Sequence, residues 1–324
     1  MNSAMDLGIE TMKMARVAGI DAAEATNSMT AALRGFNMEL NETSAVRIND
    51  VYSKLAQNTA SNVQEISTAM TKTAALANSA NMSFENTAAF LATIIESTRE
   101  GAETAGTALK TVIARFTEVK KLYSEGELLG TDEEGQEVDV NKISAALRTA
   151  GINMNDFFTG AKGLDEIFLE LGSKWDSLST VQQRYIATMA AGSRQQSRFL
   201  ALMQNYNRTV ELTEMAYNSA GSGQEQFEKT LDSLEAKIHK LKAAWDTFTM
   251  GIANSDFIKG VIDAGTKILD LLNKIIDKLS GGKGITKSIL SLVTAVGIFK
   301  GGKSLFNMIL GKAAPSLIKN SGLK

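Results

Sequence analysis

Cysteine is absent from the 324 residues, which removes disulfides, thiolate metal sites and thiol redox chemistry from consideration. There is one histidine, His239, between Ile238 and Lys240; the sequence offers no histidine cluster for zinc and no Ser-His-acid or Cys-His pair. Proline occurs once, at Pro315, and aromatic residues make up only 6%. Few helix breakers, few large core-fillers and much Ala, Met, Leu, Lys and Glu favour long helices packed through small side chains. The expected fold class is all-α: an elongated multi-helix protein with helical hairpins and heptad helices, plus one small acidic β-hairpin insertion. No basic stretch followed by an apolar run opens the sequence, so a secretory signal peptide is not expected. Acids are missing from Lys278 to Lys324, where eight lysines give +8; residues 1–277 carry −10, and the net charge is −2.

What is present is helical periodicity, clearest in Met82 to Phe116, MSFENTAAFLATIIESTREGAETAGTALKTVIARF. Phe84, Ala88, Leu91, Ala92 and Ile95 recur at spacings of three and four, and Ser83 is placed to cap the helix they define. Ala105, Ala108, Leu109, Val112, Ile113, Phe116 and Val119 define a second helix. Gly101 and Gly106 flank the join, where the missing Cβ lets the chain turn and two backbones approach closely. Periodicity alone implies an antiparallel helical hairpin.

The rest of the chain divides by pattern. An N-terminal helical segment, 1–80, carries a thin apolar stripe of Val63, Ile66, Met70, Ala74 and Ala77 behind Ser61, a candidate N-cap; its opening MNSAMDLGIETMKMARVAGI would suit a domain cut from a longer chain. The hairpin occupies 81–122. An acidic insertion, 123–141, contains GTDEEGQEVDV and predicts two short strands turning near Glu134 and Gly135. A multi-helix unit, 142–222, follows: Ile143, Ala146 and Leu147 up to a stop at Gly151, then Leu164, Ile167, Phe168, Leu171, Trp175 and Leu178. Ser179 with Gln182, or Thr180 with Gln183, matches a capping box for a helix bearing Val181, Tyr185, Ile186 and Met189, and Gly192 separates it from Phe199, Leu200, Leu202, Met203 and Tyr206.

From 223 to 280 the repeat becomes heptad, with Ser222 and Glu225 as a further candidate capping box. Phe227, Leu231, Leu234, Ile238, Leu241, Trp245, Phe248 and Ile252 alternate spacings of four and three, and Ile258, Val261, Gly265, Ile268, Leu272, Ile275 and Leu279 continue the pattern. Such a run predicts a parallel self-association seam, or a long helix lying on its own domain. The basic apolar tail, 281–324, has a longest uncharged run of Ser288 to Phe299, short of the roughly 18 residues of a membrane span. Ile289, Leu290, Leu292, Val293, Val296, Ile298 and Phe299 among lysines suit a membrane-seeking amphipathic segment, or an apolar helix awaiting partner subunits.

Two patterns suggest chemistry and fail, and a third is not decided by sequence. The acids from Asp132 to Asp139 invite calcium, but placing Gly135 at the sixth position of an EF-hand loop puts Gly130, which has no side-chain oxygen, at the first; a solvated acidic turn is expected instead. Gly297 to Ser304 fits the phosphate-loop pattern, with Lys303 and Ser304 in place, yet no Asp or Glu follows to hold magnesium. Paired carboxylates are decided by separation in space. No catalytic, cofactor-binding or metal residue is assigned, no cofactor is expected, and the chain is read as non-enzymatic.

The hairpin with its AGTALK (Ala105, Gly106, Thr107, Ala108, Leu109, Lys110) resembles the core region of phage tail tape-measure proteins. Leu178 to Tyr206, with AAGSRQQSRFLALMQNYN at Ala190 to Asn207, resembles it too, as do GSGQEQFEKTLDSLEAKIHKLKAAWDTF and the small acidic insertion. The likeness covers most of Asn49 to Leu279 in the expected order. It implies a homo-oligomer, trimer or hexamer, made in the bacterial host cytoplasm and held in the virion tail tube lumen or tail tip. Its partners would be tail tube and tip or baseplate proteins, with possible host membrane contact and genomic DNA met only transiently. It would set tail length and leave before DNA passes. One unbroken helix of this length would span about 490 Å at ~1.5 Å per residue. The predicted breaks shorten that, so this chain falls short of measuring a long tail alone; a fragment or a short tail-like particle would account for it. A membrane-active helical toxin and a structural scaffold are the alternative readings.

Overall fold

Polar caps and small side chains shape the first four helices. The computed structural model describes residues 2–132 and 134–233, and in it α1 (Asn2–Ala18), α2 (Ala22–Gly35), α3 (Glu42–Asn58) and α4 (Val63–Ser79) follow one another closely. Asp21, Asn41 and Asn62 each accept the amide three residues ahead, at 2.8, 2.9 and 2.9 Å, and so start α2, α3 and α4. Asn62 and Glu65 form a full capping box, so the cap of α4 is one residue later than the expected Ser61, whose hydroxyl pairs with that of Thr59. The stripe Val63, Ile66, Met70, Ala74 and Ala77 is buried throughout.

Next come α5 (Phe84–Thr98) and α6 (Ala102–Glu125), then strands β1 (Leu129–Thr131) and β2 (Glu137–Asp139). Ser83 caps α5 as expected, accepting from Asn86 N at 3.1 Å. The strands pair antiparallel, Leu129 with Asp139 and Thr131 with Glu137, and form the two-stranded sheet of the described residues. The all-α reading with one acidic hairpin insertion therefore holds. After it run α7 (Val140–Thr149), α8 (Asn155–Phe158), α9 (Leu164–Lys174), a single 3-10 turn at Trp175–Ser177, α10 (Thr180–Gln204) and α11 (Tyr206–Tyr217). Ser179 and Gln182 make the capping box of α10, and Gly151 follows α7 with φ +70°.

One apolar core runs from Met14 to Ala216 and includes residues from all four segments read from the sequence between 1 and 222. This unit closes at Phe227 and a second begins at Glu228; residues 222–233 are helical. The few aromatic rings are concentrated: Phe168 on α9 lies 6.3 Å from Phe90, 5.3 Å from Phe116 and 5.5 Å from Phe199, ring centre to ring centre, tying α5, α6 and α10 together. On α10, Val181 and Tyr185 are exposed, contrary to the apolar face expected there; Ile186 is buried and Met189 packs against the core as expected, and Ala187 and Ala190 complete the buried face.

The hairpin departs most from its periodicity. Twelve consecutive residues of α5, Phe84 to Ile95, are buried, so this helix is enclosed on every side by α3, α4, α6, α10 and α11. Most of its polar groups are paired with neighbours, although the side-chain oxygen of Asn86 has no hydrogen-bond partner. Glu85 takes both arms of Arg47 at 2.6 and 2.7 Å, Asn86 donates to Asp165 at 2.7 Å, and Thr93 pairs with Thr209 at 3.2 Å. Meanwhile α6 packs chiefly on α4 rather than on its hairpin partner.

Tyr52 on α3 is fully buried beside Phe84 at 5.5 Å, and its hydroxyl has no hydrogen-bond partner. Burial pushes the phenol far above the ordinary tyrosine range, because the charged form cannot be solvated there. A raised folded pKa contributes stability that is complete below the unfolded value near ~10 and is lost as pH rises beyond it. Urea melts at pH 7 and 11 should show Tyr52→Phe neutral or slightly stabilising at pH 7, and less sensitive than the wild type at pH 11.

Candidate functional site

The residues that carry the family likeness meet at the crossing of α4 and α6. Ala105, Gly106, Ala108 and Leu109 are buried and Thr107 is exposed. A Cβ on Gly106 would sit 2.5 Å from the carbonyl oxygen of Ala69 and 2.9 Å from its Cα, so two helix backbones touch with nothing between them. The hydroxyl of Thr73 is shared between the carbonyls of Ala69 and Gly106, at 3.0 and 3.2 Å. The close approach expected of this glycine is present, with α4 as the partner in place of the hairpin's first helix. Gly106→Val is expected to cost about 1–3 kcal/mol in equilibrium unfolding, because the intruding atoms meet backbone that cannot rotate aside.

A second construction joins the acidic insertion to α6 and α10. Asp132 is not a solvated acid, as the turn was expected to be: its side chain is wholly buried and ion-paired with Arg115 of α6. Its other oxygen accepts the amides of Glu134 and Gln136, at 3.0 and 2.7 Å, which shapes the turn at Gly135. Arg115 also donates to the carbonyls of Glu137 and Met189, at 3.2 and 3.3 Å. Glu134 accepts from Thr111 at 3.2 Å. The turn is therefore fastened from both sides.

What it fastens is a break in α10. Gly192 has φ +69° and ψ 173°, a conformation open essentially to glycine alone. The amide and hydroxyl of Ser193, freed by that break, both donate to the Gln136 side chain, at 3.0 and 2.9 Å. The Gln196 side chain reaches back to the carbonyl of Arg184 at 3.3 Å. A straight helix would hold those two residues about 18 Å apart along its axis. The separation expected at Gly192 is thus a sharp bend, and the acidic hairpin is its brace.

Beyond the bend, guanidinium groups bind the returning chain to the end of α5. Arg198 grips Glu100 at 2.6 and 3.0 Å, and Arg208 meets Glu96 at 3.1 Å and Glu211 at 2.8 Å. These carboxylates raise the pKa of Arg208, with the hydrogen bond it donates to Glu96 the larger cause. Such partly exposed pairs fix register more than they add stability.

Sequence reasoning missed Arg115 and Asp132 as a pair, although Arg115 falls between Val112 and Val119 on the apolar stripe of α6, where a charge needs a partner. Gln136 gave no signal. Of the seam, Phe227 and Leu231 fall within the helical stretch 222–233. Leu234, Ile238, Leu241, Trp245, Phe248 and Ile252 lie outside the described residues, as do His239, the phosphate-loop match and the tail residues Ile289 to Phe299. Among the described residues no group of acids or histidine could hold a metal ion, and no helix is long and apolar enough to cross a membrane.

Comparison with known proteins bears on the same segments. The family of phage-related minor tail proteins matches residues 1–192, more than half of the chain. The tape measure protein of Pneumococcus phage Dp-1 is similar at 24% identity over 277 residues, covering 83% of this chain and 22% of that protein. The chain therefore spans about a fifth of the length of that curated relative. No solved structure matches.

Proposed function

The chain belongs to the phage-related minor tail protein family and is a structural component of a phage tail; from that premise we propose that it acts as a core portion of a tape measure, lying in the tail lumen in several copies. The observation that carries this reading is that its tape-measure-like signature, Ala105 to Leu109, lies inside the family match and builds the backbone-to-backbone crossing of α4 and α6 at Gly106. The named relative supports it over most of the chain. The proposed role is mechanical rather than catalytic. A helix has a fixed rise per residue, so chain length converts into distance along a tube. The seam from Phe227 to Ile252 would align identical copies, with tube and tip proteins as neighbours, and the copies would depart ahead of the DNA.

Cryo-electron microscopy of tail particles from the producing strain, with mass spectrometry for this chain, tests the proposal. Axial density in the tube or tip that accepts a symmetric bundle of the Phe227 to Ile252 helices is the expected result, and it gives the copy number. Particles that lack the chain would overturn it.

A further inference from the structure

Gly221-Ser222-Gly223 has the composition of a flexible joint, yet it is built into a socket. The amides of Gly221 and Gly223 donate to the two oxygens of Asp50, at 2.9 and 2.8 Å. These amides belong to the opening turn of the helix at 222–233, whose first donors have no carbonyl of their own helix to bind. The cap is thus the distant Asp50 of α3, where Ser222 and Glu225 had been the expected pair. A carboxylate at this end of a helix is also favoured by the helix dipole.

The neighbouring residues are shaped to fit. Asp50, Ser219 and Ser222 are buried. Gly221 has φ +83°, which side-chain-bearing residues rarely adopt. A Cβ on Gly223 would come within 3.0 Å of both the Asn49 carbonyl carbon and the Asp50 carboxylate. Asn49, next along α3, donates to the carbonyl and the carboxylate of Glu10 on α1, at 2.9 and 3.0 Å. One turn of α3 therefore holds α1 with one residue and the last stretch of the first unit with the next.

We propose that this socket is an exit clasp: Asp50 pins the chain where the first unit ends, and the clasp opens while the core stays closed. The contrast in burial is the reason. Around it Asn218, Ala220, Gly221, Gln224 and Glu225 are exposed, whereas α5 is buried over twelve consecutive residues. Openings of low cost occur where buried apolar contacts are few and backbone hydrogen bonds lie near solvent. The clasp gives any load applied from beyond Phe227 a defined first point of release.

Hydrogen exchange read by mass spectrometry on the full chain tests this. Asp50→Ala should speed exchange across residues 219–226 by roughly tenfold to a hundredfold, with α5 unchanged. Gly223→Ala should give the same local signature with Asp50 intact, and Asp50→Asn, which keeps one acceptor oxygen, should fall between Asp50→Ala and wild type. Unchanged exchange at 219–226 in Asp50→Ala would overturn the proposal. So would equal acceleration in α5, or failure of both Asp50 variants to fold, because Asp50 would then support the core and not a separable clasp.

Discussion

Arg115→Ala should lower the unfolding free energy by about 3–5 kcal/mol, read from urea denaturation followed by helical circular dichroism. The side chain of Asp132 is fully buried and that of Arg115 is 4% exposed, so removing the guanidinium leaves a carboxylate with neither water nor counter-charge. The loss extends further, because Arg115 also donates to Glu137 and Met189 and so joins the hairpin to α10. Buried ion pairs can often be exchanged for apolar pairs at little cost. That exchange is blocked here: Asp132 also receives the amides of Glu134 and Gln136, and a leucine would leave both unsatisfied. The double variant Arg115→Met with Asp132→Leu is accordingly expected to stay below wild type by about 1–3 kcal/mol. An Arg115→Ala loss under about 1 kcal/mol would mean that the hairpin is not braced as described.

Phe168→Ala should cost a similar amount, about 3–5 kcal/mol, by leaving a cavity at the point where three aromatic contacts converge. Phe90, Phe116 and Phe199 come from α5, α6 and α10 and meet this one ring. The site cannot collapse readily, because α5 is already packed on every side and α6 is set on α4 at Gly106. Phe168→Leu keeps much of the volume and should lose distinctly less. Equal losses in the two variants would point to the edge-to-face ring geometry, and not the filled volume, as the main contribution.

The all-helical class, the acidic hairpin and several helix ends were legible in the sequence because they are local. Ser83, Ser179 with Gln182, and Gly151 act within a few residues of themselves, and the structure has them where the pattern put them. Other features were hidden because their partners are distant in sequence. Asp50 meets Gly221 and Gly223 from 171 and 173 residues away, and Gln136 meets Ser193 from 57. A solvent-facing reading of the acids near 132 followed from composition, which has no term for a lone arginine on a neighbouring helix. At Gly106 the residue type announced close approach, but the choice between α5 and α4 depends on packing that no local spacing encodes. The exposure of Val181 and Tyr185 arises in the same way: which face of α10 is buried depends on the helices it packs against, α5, α6, α7 and α9.

The enclosure of α5 has a consequence for how this family can vary. A helix at a surface has a permissive side, and its substitutions drift with a rhythm of about 3.6 residues. Between Phe84 and Ile95 no side is permissive, because five neighbouring helices surround the twelve positions. Change there must be small, or matched by change elsewhere, and a record of descent would show α5 nearly level, with no pulse along its length. The pulse returns in α6, where Thr107 faces outward between buried Gly106 and Ala108. The two arms of one hairpin would thus age at different rates, the inner one slowly and evenly, the outer one in step with its turns.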